Sequence, residues 1–246
     1  VAHQHDPRAT SVVHTMTPAV PGEATARVVA HGRTCDWDLH LVRSGEFDDE
    51  RYLSNPTDRC YYCKTNLYDA VAEVSTALSS APSPDRTVIS GANLDDLGEY
   101  RPGLTAAAEH AVRHPYVEAE MAKADIRTLA RHLGVAEAEL PASPCLASRI
   151  YTGTRVTEAR LRAIELGEAV LRSAGIGVVR CRVDEAAVRV EVPDEDRHLV
   201  TPALIDDVAK VMTTAEPGLV SVVLDELAYR PGRAFLHVTA FEGPTR

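Results

Sequence analysis

Cys145 lies in the run Pro141-Ala142-Ser143-Pro144-Cys145-Leu146-Ala147-Ser148-Arg149-Ile150, a thiol among small residues with a hydroxyl and a guanidinium close behind it. The thiolate is the reactive form of cysteine, and neighbouring positive charge favours it, so this setting points to a nucleophile. A buried cysteine acting as a small hydrophobe is the competing reading. A second pair of sulfurs sits in Arg59-Cys60-Tyr61-Tyr62-Cys63-Lys64, where C-x-x-C spacing turns both thiols to one side, as metals and redox couples require. One such pair cannot close a tetrahedral site, and no second C-x-x-C or paired-histidine motif is present, so a structural zinc is the weaker reading. Cys145 could supply a third sulfur, and three cysteines leave one iron of a [4Fe-4S] cluster open to an external ligand. Arg180 and Arg182 alternate along one predicted strand, which sends both guanidinium groups to one face and Val179, Cys181 and Val183 to the other. Two arginines on one face suit bidentate recognition of phosphate, with a carboxylate such as Glu168 to orient them; a solvated face with scattered ion pairs is the alternative. Ser90-Gly91-Ala92-Asn93, followed by Asp95 and Asp96, sits at the carboxyl end of a predicted strand, where open parallel sheets bind ligands. Glycine there permits close backbone approach and the carboxylates could face a ribose or a metal, although an Asx-rich turn explains the same residues.

These groups need elements to hold them. Hydrophobic period predicts strands at residues 11–15 and 37–42, helices at 22–31 and 64–78, a short buried strand at 87–90, and a helix at 123–133 ended by Gly134. That alternation implies an α/β fold with a parallel sheet and helices on both faces. Residues 135–151 carry two prolines and no clear period, so a loop and a domain junction are expected there. Beyond it, helices near 157–174 and 196–211 with strands near 178–183, 188–192 and 219–224 suggest a smaller α+β domain, giving domains 1–150 and 151–246.

Composition narrows the function. A net charge of −10 argues against a surface that wraps nucleic acid, while leaving room for a local basic pocket that takes a small anion. No apolar run is long enough for a membrane span and no secretion signal is visible, so the expected location is the cytoplasm. Five cysteines, an odd number, read as reduced thiols rather than a disulfide framework. Cys35 and Cys181 read as structural.

Taken together, Arg59-Cys60-Tyr61-Tyr62-Cys63-Lys64 with Leu67-Tyr68, Gly91-Ala92-Asn93-Leu94-Asp95-Asp96-Leu97-Gly98 with Tyr100-Arg101-Pro102-Gly103, the stretch from Lys123 to Arg127, the Cys145 run with Gly153, and Tyr229-Arg230 resemble, in order, the signatures of the LarE-type ATP-dependent sacrificial sulfur transferases of the PP-loop ATP pyrophosphatase superfamily. The resemblance implies a PP-loop nucleotide-binding domain followed by a substrate domain, and use of ATP with Mg2+. It implies that a carboxylate of a pyridinium biscarboxylate mononucleotide is adenylated and then captured by Cys145, on the way to a nickel-pincer nucleotide cofactor. Cleavage of the carbon–sulfur bond then leaves a thiocarboxylate on the product and dehydroalanine in the protein. Relatives with three cysteines are thought instead to deliver sulfur from an iron-sulfur cluster, and Cys60, Cys63 and Cys145 match them in number. The resemblance further implies that Glu168, Arg180 and Arg182 handle the substrate phosphate or sulfur transfer, that Gly91, Asn93, Asp95, Asp96, Lys123, Ser148 and Arg149 belong to cofactor binding, and that the protein is a homo-oligomer acting on a small nucleotide.

The superfamily's Ser-Gly-Gly-x-Asp-Ser phosphate loop has no counterpart ahead of Ser11, where it would fall. Without its backbone N–H groups a pyrophosphate lacks a cradle. Residues of the protein outside this sequence, a naturally shortened protein, and a degenerate relative that binds without adenylating each account for this. A first strand and helix would fill the middle of the sheet and their loss would bare apolar surface, so the first is the expectation. Three functions therefore stay open: sulfur transfer to a carboxylated nucleotide, a different PP-loop ligation or thiolation of another acid, and non-catalytic nucleotide binding.

Overall fold

The computed structural model describes residues 1–78, 86–98, 101–140 and 143–230; Tyr100, Pro141 and Ala142 of the motifs above lie outside the described residues. The elements run α1 (Ala2–His5), β1 (Ser11–Thr15), α2 (Gly22–Thr34), β2 (Asp38–Val42), α3 (Glu50–Leu53), α4 (Arg59–Ala77), α5 (Pro102–Glu109), α6 (Pro115–Glu118), α7 (Lys123–His132), α8 (Glu158–Ser173), β3 (Arg180–Asp184), β4 (Ala187–Glu191), α9 (Pro202–Ala215) and β5 (Ser221–Leu224). No helix among the described residues is long and apolar enough to cross a membrane.

Two compact units divide the chain. The first holds Val1–Met16, Arg27–Tyr52 and Asp58–Ser143; the second holds Thr17–Ala26, Leu53–Thr57 and everything from Pro144 onward. The first unit is α/β in character: β1 and β2 pair in parallel from Ser11 against Asp38 to Thr15 against Val42, with α2 as the crossover between them. Its small core joins Tyr68 of α4 to Ala106, Ala107 and Val112. The strand expected at residues 87–90 is corrected to a single parallel bridge between Ile89 and Arg113. Among the described residues one partner residue pairs with it, and Ile89 is 47% exposed rather than buried.

The second unit has a three-stranded sheet in the order β3-β4-β5, with β3 antiparallel and β5 parallel to β4. Helices α8 and α9 pack on each other, and Leu161, Ile164 and Leu171 of α8 and Val208 and Met212 of α9 are fully buried. Each fully buried aliphatic side chain of this kind contributes about 1.5–3 kcal/mol. Thr157 starts α8 by accepting the Arg160 N–H at 3.2 Å. The single helix expected from residue 196 is instead a 3-10 turn at Asp194–Leu199 and then α9, because Thr201 caps and Pro202 opens a new helix.

Candidate active site

Cys145 stands immediately before a 3-10 turn, Leu146–Arg149, and is half-buried. The turn is pinned from two sides. The Leu146 N–H donates to the Ala19 carbonyl at 2.7 Å and the Tyr151 N–H to the Val183 carbonyl at 2.9 Å. Arg149 then folds back over its own loop, its Nη1 donating to the carbonyls of Pro144 at 2.8 Å and Cys145 at 3.1 Å. The same nitrogen lies 3.1 Å from the Ser148 hydroxyl oxygen. The guanidinium adjoining the thiol is therefore a clamp on the peptide that carries it.

Glu168, on the inner face of α8, meets the other edge of Arg149 in a two-point contact, Nε to Oε1 at 2.9 Å and Nη2 to Oε2 at 3.0 Å. Arg172, one helical turn along, adds a contact to Oε2 at 3.3 Å, and the Cys181 N–H donates to Oε1 at 3.2 Å. Arg182 is buried and oriented by Glu191, Nε to Oε2 at 3.0 Å, while its Nη1 donates to the Ser148 carbonyl at 2.8 Å. Glu168, expected to orient the strand arginines, is thus spent mainly on Arg149 and Arg172, and Glu191 does that work for Arg182. Arg180 lies over the Tyr229 ring, 5.1 Å from its centroid, and donates to the Val179 carbonyl. Burial, and behind it the Arg149 charge, pull Arg180 below the ordinary arginine range, while Glu168 acts the other way.

Arg149 and Arg172 thus meet Glu168, Arg182 meets Glu191 and Arg180 lies over Tyr229, so four arginines stand against two buried carboxylates in the unit that carries Cys145. Such a set can hold a phosphate. Cys181 faces the other way: it is fully buried, and burial, with Glu168 behind it, pushes its thiol well above the usual range.

The remaining predicted residues belong to the first unit. Cys60 and Cys63 occupy the first turn of α4, both half-buried. Among the described residues no three His, Cys, Asp or Glu side chains gather to hold a metal ion. Gly91 is open, and a methyl group there would meet nothing within 4 Å, so the fold itself makes no demand for glycine. Asp96 accepts the backbone N–H of Asn93 at 3.1 Å and its side-chain amide at 3.0 Å through Oδ2, and pairs with Arg101 at 3.1 Å through Oδ1. Asp95 accepts the Lys123 backbone N–H at 3.1 Å, tying the loop to the start of α7 and leaving the Lys123 side chain exposed. The Asx-turn geometry weighed above is thus present, with Lys123 as the exposed cation beside it.

An α/β chain with a cysteine held by arginines is a class of protein rather than a name, and comparison with known proteins narrows it. No family model matches the chain. It is 34% identical over 194 residues, 78% of this chain and 70% of the relative, to the uncharacterized protein slr1717 of Synechocystis. It is 32% identical over 146 residues, 59% of this chain, to the pyridinium-3,5-bisthiocarboxylic acid mononucleotide synthase of Lactiplantibacillus plantarum, spanning 51% of that protein. It is 30% identical over 179 residues to the uncharacterized protein MJ0830 of Methanocaldococcus jannaschii, spanning 66% of it. The chain belongs to the LarE-type family.

Proposed function

We propose that the protein is an ATP-dependent sulfur transferase that thiolates a carboxylate of a pyridinium biscarboxylate mononucleotide, in the synthesis of a nickel-pincer cofactor. One observation carries this reading: Cys145, Arg149, Glu168 and Arg182 converge in one unit, linked through the Ser148 and Cys145 carbonyls, with Arg180 on the same strand as Arg182. The name of the L. plantarum relative supplies the substrate class.

Carboxylates are poor acyl donors, so adenylation by ATP, with Mg2+ balancing the triphosphate, supplies a leaving group. The Cys145 thiolate attacks the acyl carbon and AMP departs, leaving a thioester. Loss of the Cα proton with breakage of the Cβ–Sγ bond then gives the thiocarboxylate product and dehydroalanine at position 145. Arg180 and Arg182 hold the substrate phosphate, which turns a bimolecular encounter into a positioned one. Arg149 fixes the backbone on either side of the thiol, so that Sγ meets the acyl carbon from one direction. The nucleotide lies against Gly91, Asn93 and Lys123 in a PP-loop-type domain.

Intact mass after incubation with ATP, Mg2+ and the mononucleotide tests this. A loss of about 34 Da, hydrogen sulfide, at Cys145 is expected, and Cys145→Ala should abolish both product and mass change. Unchanged mass with multiple turnovers would replace the sacrificial route with delivered sulfur. In that case Cys60→Ala should stop turnover if a cluster on Cys60, Cys63 and Cys145 delivers it.

A further inference from the structure

Arg149, Arg180 and Arg182 of the second unit differ in one respect. A guanidinium offers a carboxylate or a phosphate two parallel N–H groups along its Nε/Nη2 edge, the side-on contact. In Arg149 that edge is taken by Glu168, through Nε at 2.9 Å and Nη2 at 3.0 Å. In Arg182 the Nε end of it is taken by Glu191 at 3.0 Å. Arg180 is half-buried and its Nη1 donates to the Val179 carbonyl, but among the described residues no acceptor meets its Nε or Nη2. The residue in register with Arg180 across the sheet is Glu191, whose Oε2 accepts Arg182 on the diagonal instead.

An aromatic ring holds Arg180 where an acid holds the other two. Its Cζ lies 5.1 Å from the centroid of the Tyr229 ring, within the reach of cation–π attraction. The ring is itself fixed by the backbone, since the Tyr229 N–H donates to the Val192 carbonyl at 2.9 Å and the Asp225 N–H to the Val190 carbonyl at 2.8 Å. The segment after β5 is thereby tied at both ends to β4 and the residue just past it. A ring face attracts a cation through its quadrupole without cancelling the charge or occupying an N–H group. A carboxylate in that place would do both and would compete with an anion arriving from outside. Burial, and behind it the Arg149 charge, disfavour the Arg180 cation, while Glu168 restores part of the loss; a bound anion would offset the remainder.

We propose that Tyr229 is a positioning residue, its ring fixing the Arg180 guanidinium from one face so that the Nε/Nη2 edge stays open for a phosphate monoester. For the ligand, the phosphate of a pyridinium mononucleotide, this rests on the sulfur-transfer reading above. The two strand arginines are then unequal: Arg180 makes the side-on contact, which Arg182, with its Nε committed to Glu191, cannot make.

Titration calorimetry on the 246-residue chain tests this with two probes that differ only in the phosphate, nicotinic acid mononucleotide and nicotinic acid riboside. The ratio of their affinities isolates the phosphate contact and should be about tenfold or more in the unaltered chain. Tyr229→Phe keeps the ring and should hold that ratio within about twofold, whereas Tyr229→Leu should cut it about fivefold or more and leave riboside affinity unchanged. In an Arg180→Met background Tyr229→Leu should have no further effect, because no guanidinium remains to be positioned. Tyr229→Met makes the same test if Tyr229→Leu does not fold. An unaltered ratio in Tyr229→Leu, an equal fall in Tyr229→Phe, or no phosphate preference in the unaltered chain would overturn the proposal. The mass change at Cys145 judges the sulfur-transfer reading separately. If that change occurs and the ratio ignores Tyr229→Leu, this inference alone falls; if the ratio behaves as expected and the mass never changes, that reading alone falls.

Discussion

Arg149 and Glu168 meet edge to edge, Nε to Oε1 at 2.9 Å and Nη2 to Oε2 at 3.0 Å, with side chains 4% and 1% exposed. A planar guanidinium matched to a carboxylate on two points has one orientation available to it, and Nη1 is thereby aimed at the peptide of Cys145. The pair fixes the loop that carries the thiol.

Breaking that pair from one side strands a buried charge. Glu168→Leu is expected to cost about 3–5 kcal/mol, whereas Arg149→Met with Glu168→Leu should cost less than the single change, because the ion then left without its partner is Arg172, which reaches water, rather than the buried Arg149. Urea denaturation of the three proteins measures the difference; equal losses in single and double variants would show that the pair does not act as a unit.

Asn55 holds the segment after Arg149 from a left-handed backbone conformation, φ 55°. Its buried side-chain amide donates to the carbonyls of Tyr151 and Thr154, each at 2.8 Å. Asn55→Ala should lose about 2–4 kcal/mol, combining the loss of both amide hydrogen bonds with the cost of positive φ; the Tyr151 carbonyl keeps the Thr154 N–H. Asn55→Gly should recover about 1 kcal/mol of that, since glycine meets the backbone demand but not the hydrogen bonds. Thermal melts of both variants separate the two causes.

Gly167 lets α8 lie close to both β3 and α9: a Cβ there would fall 2.7 Å from Met212 Sδ and 3.2 Å from Cys181 Sγ. Gly167→Ala is expected to destabilise by about 1–3 kcal/mol through overpacking. Adding Met212→Val should restore part of the loss, read from the shift in denaturation midpoint.

Thiol reactivity should split the cysteines. Cys35, Cys60, Cys63 and Cys145 are half-buried and Cys181 is buried, so an aromatic disulfide reagent should titrate four thiols in the native chain and all five once it is unfolded. Because burial raises the Cys181 thiol well above its usual range, raising the pH to 9 should not bring it into reaction while the fold persists.

Asp49 should contribute to acid stability. The Arg51 side chain, with Asn66 and the Arg51 backbone N–H in support, lowers its carboxyl from 3.8 to about 2. A carboxyl whose folded value is depressed stabilises the fold above its unfolded value and ceases to do so as pH falls toward the folded one, so the contribution is whole above about pH 4 and gone below about pH 2. Asp49→Asn should flatten the stability curve over that interval alone, measured by urea midpoints at stepped pH.

Much of this was legible in residue order. Thr157 ahead of an apolar 3.6-residue period marked α8, and alternation marked β3 with Arg180 and Arg182 on it. Cys145, Arg149 and Glu168 were visible as reactive types at suggestive spacing. Glu191 and Arg172 were not. Glu191 meets Arg182 only through the register of β3 on β4, which sets Arg180 opposite Glu191 and places Arg182 one diagonal away. Arg172 is one more arginine on a helix until Glu168 turns inward beneath it. The bridge at Ile89 was overread as a strand because β-branched residues before a glycine carry the strand signal whether or not a neighbour pairs with them. The helix break at Thr201-Pro202 had its signal, a cap followed by proline, and was masked by the apolar period that continues across it.

The second unit gathers three separated pieces of chain, and its bonds are correspondingly far-reaching: Asn55 reaches Tyr151 across 96 positions, and the Gly22 N–H reaches Glu165 across 143. On a ribosome adding about 5–20 residues per second, Gly22 emerges roughly 7–30 s before its carboxylate does. Two early segments therefore wait, unfolded and exposed to chaperones, until the chain beyond Pro144 has been made and closes around them.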